Sequence, residues 1–410
     1  MLQRPRGTRD FLPEEMERRR AVEAILRDRA ARWGYREVCT PEFEELELFT
    51  IRSGAGIIGE IYAFEDKGGR KVALRPEITA PVLRMYVNEA KVLPKPLRWF
   101  YFADCFRYER PQKGRYRQFW QFGVELIGAD TPRADAEAIL LADELLRAAG
   151  VPSDIHVGHL APMKHLLSGL DPDAQAKAMA FLDKRDFGGL AGFLDGIGKP
   201  YLESRLRDLA HARTLDEIFA ITGDIPEKER ITKIVEILDR SGLSYTLDFG
   251  IARGLDYYTG MVFEGFAPNL GAEDQVLGGG AYRLAHLFGG DDVPSCGFAI
   301  GFDRLMVSLG EAQVARPVRV AVCSTEEGRI RAFEVAKAFR EQGICAELDL
   351  LDRNLGAQMA HAAKSADFAI ILGQREVAAG TVTVKNLQSG EQKTIPLPDA
   401  VAEVAARVPR

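Results

Sequence analysis

The chain has 410 residues, a formal net charge of -6 and an isoelectric point near 5.7. That length suggests two or three domains with ample core. The mild acidity excludes a protein that coats nucleic acid by bulk charge, though not one that grips RNA through local basic clusters. Five scattered cysteines (Cys39, Cys105, Cys296, Cys323, Cys345) contain no CxxC pair, and no run of about 18 apolar residues occurs. Free thiols in a soluble, cytoplasmic protein are therefore expected, rather than a disulfide frame, a zinc site or a membrane span.

Residues 1–12 read as irregular and basic, with Arg4, Arg6 and Arg9 around Gly7. Pro13 opens a helical pattern with Glu14 and Glu15 in its first turn, where the helix dipole favours acids. The pattern runs to about Arg32 and stops at Gly34. "YREVCT" follows as a short strand ended by Pro41. Residues 57–64 and 70–75 read as paired strands about a "DKGGR" turn. The second runs into "LRPEITAP", which gathers Arg75, Glu77 and Thr79 just past a strand end, where loops carry function.

Residues 105–125, "CFRYERPQKGRYRQFWQFGVE", read as strand, basic loop, strand. On the second arm Phe119, Gln121, Gly123 and Glu125 share one face, because side chains on a strand repeat every two residues. Phe119 can stack on a flat ring, and Gln121 and Glu125 point into one cavity. Between Arg107 and Arg117 stand five basic side chains and one acid. Such a loop is either a solvated hairpin or a polyphosphate site, since guanidinium forks match phosphate oxygens.

This stretch resembles motif 2 of the class II aminoacyl-tRNA synthetases and, over its whole length, the form found in histidyl-tRNA synthetases. Trp120 and Phe122 depart from that form on its flanks. The preceding helix–strand–proline unit is similar to motif 1, the dimer motif of the class.

Farther along, Thr131 or Asp130 caps a core-packing helix that lasts until Gly150. His156-Val157-Gly158-His159 fits the HxGH pattern of class I synthetases. The nucleotide-binding fold and later KMSKS-like loop that this pattern needs are both missing, so the two histidines read as ordinary strand residues. Residues 161–241 read as helices broken at Gly188-Gly189 and at 196–200. They form an inserted subdomain that is either a packing appendage or, by the resemblance, a neighbour of the tRNA acceptor arm.

"RGLDYYTG" (253–260) resembles a signature particular to histidyl-tRNA synthetases. Tyr257 and Tyr258 fall on opposite faces of a strand. The glycines at 278–280 either let backbone approach a ligand or mark a bulge. Ala281 and Arg283 stand where many members of the family carry Arg and Asp. "SCGFAIGFDRLMVSL" is similar to motif 3. Beyond Pro317, strands and helices alternate in an α/β unit. Its 12 basic and 12 acidic residues from Arg319 to Arg410 mean that any tRNA contact there is local.

The resemblance implies an α/β chain. Residues 1–317 would be an α+β catalytic domain, an antiparallel sheet flanked by helices, with the helical insertion at about 161–241. Residues 318–410 would be an α/β anticodon-binding domain. It implies a homodimer that joins histidine to ATP as histidyl-adenylate, with Mg²⁺ on the phosphates, and passes the histidyl group to tRNA(His). Arg107 would hold the α-phosphate, Arg115 and Arg304 the outer phosphates, and Phe119 the adenine, while Glu109 would help position the ATP. Arg253 would bridge carboxylate and α-phosphate. Glu77 and Thr79 would hold the α-ammonium, and Gln121, Glu125, Tyr257 and Tyr258 would frame the imidazole. Two other classes share this fold without aminoacylating: the regulatory subunit of ATP phosphoribosyltransferase in histidine biosynthesis, and the tRNA-sensing part of a starvation kinase. The first lacks an anticodon-binding domain, and the second needs a kinase region that is not here.

Overall fold

Proline at the first helical position, acids in the first turn and arginines in the last give α1 (Pro13–Arg32) its ends. Its buried residues Arg19, Val22, Glu23, Leu26 and Ala30 recur at helical spacing, so one stripe faces the core. In this computed structural model residues 2–53, 59–109, 114–251, 258–268, 270, 274–311 and 316–407 are described. The chain divides into two units, residues 1–312 and 313–410.

In the first unit α1 is followed by β1 (Arg36–Glu37), β2 (Phe43–Glu45), α2 (Glu47–Ser53), β3 (Ala63–Glu65), β4 (Lys71–Leu74) and α3 (Thr79–Met85). The long hairpin β5 (Leu97–Phe106) and β6 (Gln118–Ile127) leads to α4 (Pro132–Ala148) and β7 (Asp154–His159). Six helices then form the insertion: α5 (Leu160–Leu167), α6 (Pro172–Asp183), α7 (Phe187–Gly196), α8 (Tyr201–His211), α9 (Leu215–Thr222) and α10 (Lys228–Arg240). The chain returns through β8 (Thr246–Leu247), β9 (Tyr258–Phe266), β10 (Gln275–Tyr282), β11 (Ser295–Gly301) and α11 (Phe302–Leu309).

The main sheet has the order β1-β5-β6-β11-β10-β9-β7-β8. Its six central strands pair antiparallel, and only the two-residue edge strands β1 and β8 pair in parallel. The α+β reading therefore holds for the sheet that carries the site. Strands β2, β4 and β3 make a separate small sheet. Of the strand expected at 57–64, residues 57 and 58 lie outside the described residues and the remainder forms a strand from Ala63, while "YREVCT" contributes a strand of two residues.

Thr131, not Asp130, caps α4 by accepting from the Ala134 N–H. The insertion has its own core, including Leu167, Leu190, Leu194, Leu206 and Leu209, all fully buried. The expected break at Gly188-Gly189 falls elsewhere: α7 runs through both glycines. Asp186 caps it, its carboxylate accepting from Gly189 N over 2.8 Å, and the chain turns at Arg185 instead.

In the second unit β12 (Arg319–Ser324), α12 (Arg329–Glu341), β13 (Cys345–Leu348), α13 (Leu355–Ser365), β14 (Phe368–Leu372), α14 (Gln374–Ala379), β15 (Thr381–Asn386), β16 (Gln392–Pro396) and α15 (Leu397–Ala405) alternate as expected, with α14 an unforeseen short helix. The sheet order is β13-β12-β14-β15-β16, parallel in its first three strands and antiparallel at β15 and β16. Val320, Val322, Phe339, Ile370 and Val382 fill its core.

Candidate active site

The centre of the main sheet carries a cavity of about 370 Å³. The hairpin β5–β6 forms one wall, the segment entering α3 another, and β9, β10, β11 and the start of α11 close it. Of the expected site residues, Glu77, Thr79, Arg107, Glu109, Arg115, Phe119, Gln121, Tyr258 and Arg304 all line it. Arg253 and Tyr257 lie outside the described residues.

The cations meet at one end. Arg107 lies 5.1 Å from the Phe119 ring centroid, and its Nε donates to the Pro76 carbonyl over 2.9 Å. Glu109 stands between two arginines, 3.8 Å from Arg107 on one oxygen and 3.8 Å from Arg115 on the other. At the start of α11, beside Gly114, Arg304 Nε donates to the Gln275 carbonyl over 2.6 Å. Three guanidinium groups in one half-enclosed space suit a polyanion.

The other end is polar and carries the carboxylate of Glu77. The Cys105 thiol, held protonated by burial, donates to Gln121 Oε1 over 3.3 Å, so Gln121 presents its amide N–H groups as donors. Tyr258 packs over Gly280, where a Cβ would stand 2.8 Å from the ring. Glu77 accepts from the Ala80 N–H at 3.1 and 3.2 Å and so caps the start of α3. Arg75 is buried and serves structure, donating to Thr40 and Asp104 carbonyls over 2.8 Å each and to the Asp104 carboxylate over 3.0 Å.

Glu125 corrects the expectation that it and Gln121 point into one cavity. It is 1 % exposed, and it sits one hydrogen bond behind the wall. Thr79 Oγ1 donates to its Oε1 over 2.7 Å, and the Tyr282 hydroxyl donates to its Oε2. Burial, with the Glu77 charge adding, pushes its pKa up to about 8 against these two hydrogen bonds. Tyr101 and Tyr282 therefore belong to the site, though residue patterns single out neither. The fully buried Tyr101 lines the cavity with its ring over Gly123, where a Cβ would stand 2.1 Å from it. Tyr282 lies between Ala281 and Arg283, the two positions that depart from the family form. Arg283 does not line the cavity, and pairs with Asp130 at 2.6 Å and Asp292 at 3.0 Å.

Of the glycines at 278–280, Gly278 lines the cavity. Gly279 and Gly280 instead make room for neighbouring strands, and the register shifts between Gly280 and Tyr282. The HxGH pair lies outside the cavity, as ordinary strand residues should. His156 is held between Asp248 at 3.1 Å and Asp154 at 3.0 Å. His159 accepts from Ala161 N over 3.1 Å and caps α5, its pKa pushed down to about 3 by burial.

Comparison with known proteins identifies the family. The family model "Histidyl-tRNA synthetase" matches residues 7–305, and the model "Anticodon binding domain" matches residues 318–407. The histidine–tRNA ligase of Methanoculleus marisnigri is 68% identical over 405 residues, 99% of each chain. That of Methanoregula boonei is 68% identical over 406 residues, again 99% of each. The solved structure of apo S. aureus histidyl-tRNA synthetase matches with a TM-score of 0.73 at 28% identity, covering 98% of this chain and 99% of that one. The departures at Trp120, Phe122, Ala281 and Arg283 notwithstanding, the chain belongs to the histidyl-tRNA synthetase family.

Proposed function

We propose that the cavity activates histidine with ATP and then passes the histidyl group to the 3′ end of tRNA(His). The full-length likeness to curated histidine–tRNA ligases, with a second unit matching an anticodon-binding model, favours this over the regulatory-subunit reading. The observation that carries it is the gathering of Arg107, Arg115 and Arg304 around a cavity that also presents Glu77, Thr79 and Gln121.

Activation brings an anionic carboxylate up to an anionic α-phosphate, so charge must be neutralised where it develops. Arg107 holds the α-phosphate, Arg115 and Arg304 the outer phosphates, and Phe119 the adenine. Glu109 orients the first two arginines and the ATP. Arg253 carries the bridging role from its place in the signature. Mg²⁺ would ride on phosphate oxygens and neutralise part of their charge. Among the described residues no cluster of three or more His, Cys, Asp or Glu could hold a metal; Glu109, beside Arg107 and Arg115, is the carboxylate that would help hold it. Glu77 and Thr79 take the α-ammonium, while Gln121, Tyr257 and Tyr258 frame the imidazole. Glu125 acts from behind Thr79. By accepting from the Thr79 hydroxyl, it turns that oxygen's lone pairs toward the cavity to receive the α-ammonium. Leaving the groups that frame the imidazole unpaired costs about 1–3 kcal/mol each and so rejects other side chains.

Residues 1–317 are thus the catalytic domain with its insertion at about 161–241, and residues 318–410 the anticodon-binding domain, in a homodimer working in the cytoplasm. No helix among the described residues is long and apolar enough to cross a membrane. Exchange of labelled pyrophosphate into ATP, tested with each amino acid, decides the reading: exchange with histidine alone supports it, and none from folded protein sinks it.

A further inference from the structure

We infer that residues 7–11 form a strap that positions the ATP-binding loop, with Arg9 as its positioning residue; this rests on reading the cavity as the ATP site. Gly7, at φ 85°, turns the chain so that its carbonyl accepts from Arg117 N over 2.9 Å. Two residues on, the Arg9 guanidinium lies 3.4 Å from the Tyr116 ring centroid and 4.9 Å from that of Phe11. The same guanidinium pairs with Asp303. Tyr116 follows Arg115, and Asp303 precedes Arg304. Arg9 thus ties together the backs of the two arginines assigned to the outer phosphates. It does not line the cavity itself.

Charge balance argues that the strap is more than packing. Asp303 is 2 % exposed. It already has a cation in Arg19 of α1 at 2.8 Å, and its other oxygen accepts from the Trp120 N–H over 2.8 Å. One buried partner suffices to compensate one buried carboxylate. Arg9 makes a second, leaving a surplus positive charge directly behind the phosphate end of the cavity. Arg9 Nε is buried without a hydrogen-bond partner, so what holds the group is the flat stack and the ion pair. The arrangement also explains Trp120, the departure on the motif flank. Its ring packs edge-on against Phe11 at 5.5 Å, and Arg19 lies over both rings. An aromatic residue there anchors the far end of the strap.

The test uses full-length protein carrying Arg9→Ala, Arg9→Lys, Tyr116→Ala or the Arg9→Ala/Tyr116→Ala pair. Pyrophosphate exchange is measured against ATP and histidine separately, with transfer from preformed histidyl-adenylate alongside. Arg9→Ala should lose about tenfold to a hundredfold in kcat/KM for ATP, as misplacement of binding groups does. The histidine KM and the transfer step should move less than about twofold, a split that general damage to the fold would not produce. Arg9→Lys keeps the charge but not the planar stack, so it should fall between, and it serves if the alanine variant does not fold. The double variant should be no worse than the poorer single one, since both break one contact. Unchanged ATP kinetics in Arg9→Ala, or equal losses for ATP and histidine, would overturn the strap. A wild-type protein without exchange would instead overturn the ATP reading beneath it.

Discussion

The Tyr282 hydroxyl donates to Oε2 of Glu125 across an intervening strand. The strand between them, β11, carries Gly297 at that level, paired with Glu125 on one side and Gly280 on the other. A Cβ on Gly297 would stand 2.6 Å from the carboxylate. The bare backbone there is what lets the acid of β6 meet the tyrosine of β10.

Glu125→Gln should weaken histidine by about tenfold or more while ATP changes by less than about twofold, because an amide cannot accept from both Thr79 and Tyr282 as the carboxyl does, and Thr79 loses its orientation toward the ammonium. Separate titration of the two ligands checks it, and equal losses would make Glu125 structural only.

The same variant should change how stability depends on pH. Below the ordinary value of 4.5 the acid is protonated both folded and unfolded, and burial costs nothing. From there to about 8 the unfolded chain loses its proton while the folded one keeps it, so stability falls as pH rises, and the penalty is complete above about 8. Melting temperatures taken across this window should fall more steeply with pH for wild type than for Glu125→Gln.

Gly123→Ala should disturb the histidine end through Tyr101, which lines the cavity. The new methyl would collide with the fully buried Tyr101 ring. Overpacking of this kind costs about 1–3 kcal/mol. Denaturant unfolding should register that loss, and the histidine KM should rise with the ATP KM little changed.

His159→Ala removes the cap of α5 and should cost about 1–2 kcal/mol. Adenylation should persist, because His159 lies outside the cavity. With its folded pKa held at about 3, His159 supports stability above its ordinary value of 6.5 and loses that support as pH falls. Chemical denaturation at neutral and acid pH, beside exchange kinetics, separates the two effects.

Arg253→Ala should lower the adenylation rate by about 10²–10³. Michaelis constants for ATP and histidine should shift far less, since its charge matters most as the phosphorus centre becomes crowded. Single-turnover rates decide it, and near-normal adenylation would remove Arg253 from the mechanism.

The sequence alone specified the parts that local chemistry controls. Proline, acids and a terminal glycine mark out α1, a cap at Thr131 or Asp130 starts α4, and alternation on either side of a turn-rich loop defines the β5–β6 hairpin. Arg107, Arg115, Phe119 and Gln121 sit on that hairpin, and the family resemblance of "LRPEITAP" and "GFDR" adds Glu77, Thr79 and Arg304. Strand alternation says which face a side chain takes, but not which strand lies beside it. That neighbour is set by long-range pairing, since β11 inserts between β6 and β10 from far along the chain. Only this pairing sets Glu125 behind Thr79, brings Tyr282 to it over Gly297, and lays Tyr101 on Gly123. The strap at Arg9 and its Trp120 anchor depend likewise on α1 and α11 meeting at the buried charge of Asp303, an electrostatic balance that no single stretch of sequence encodes.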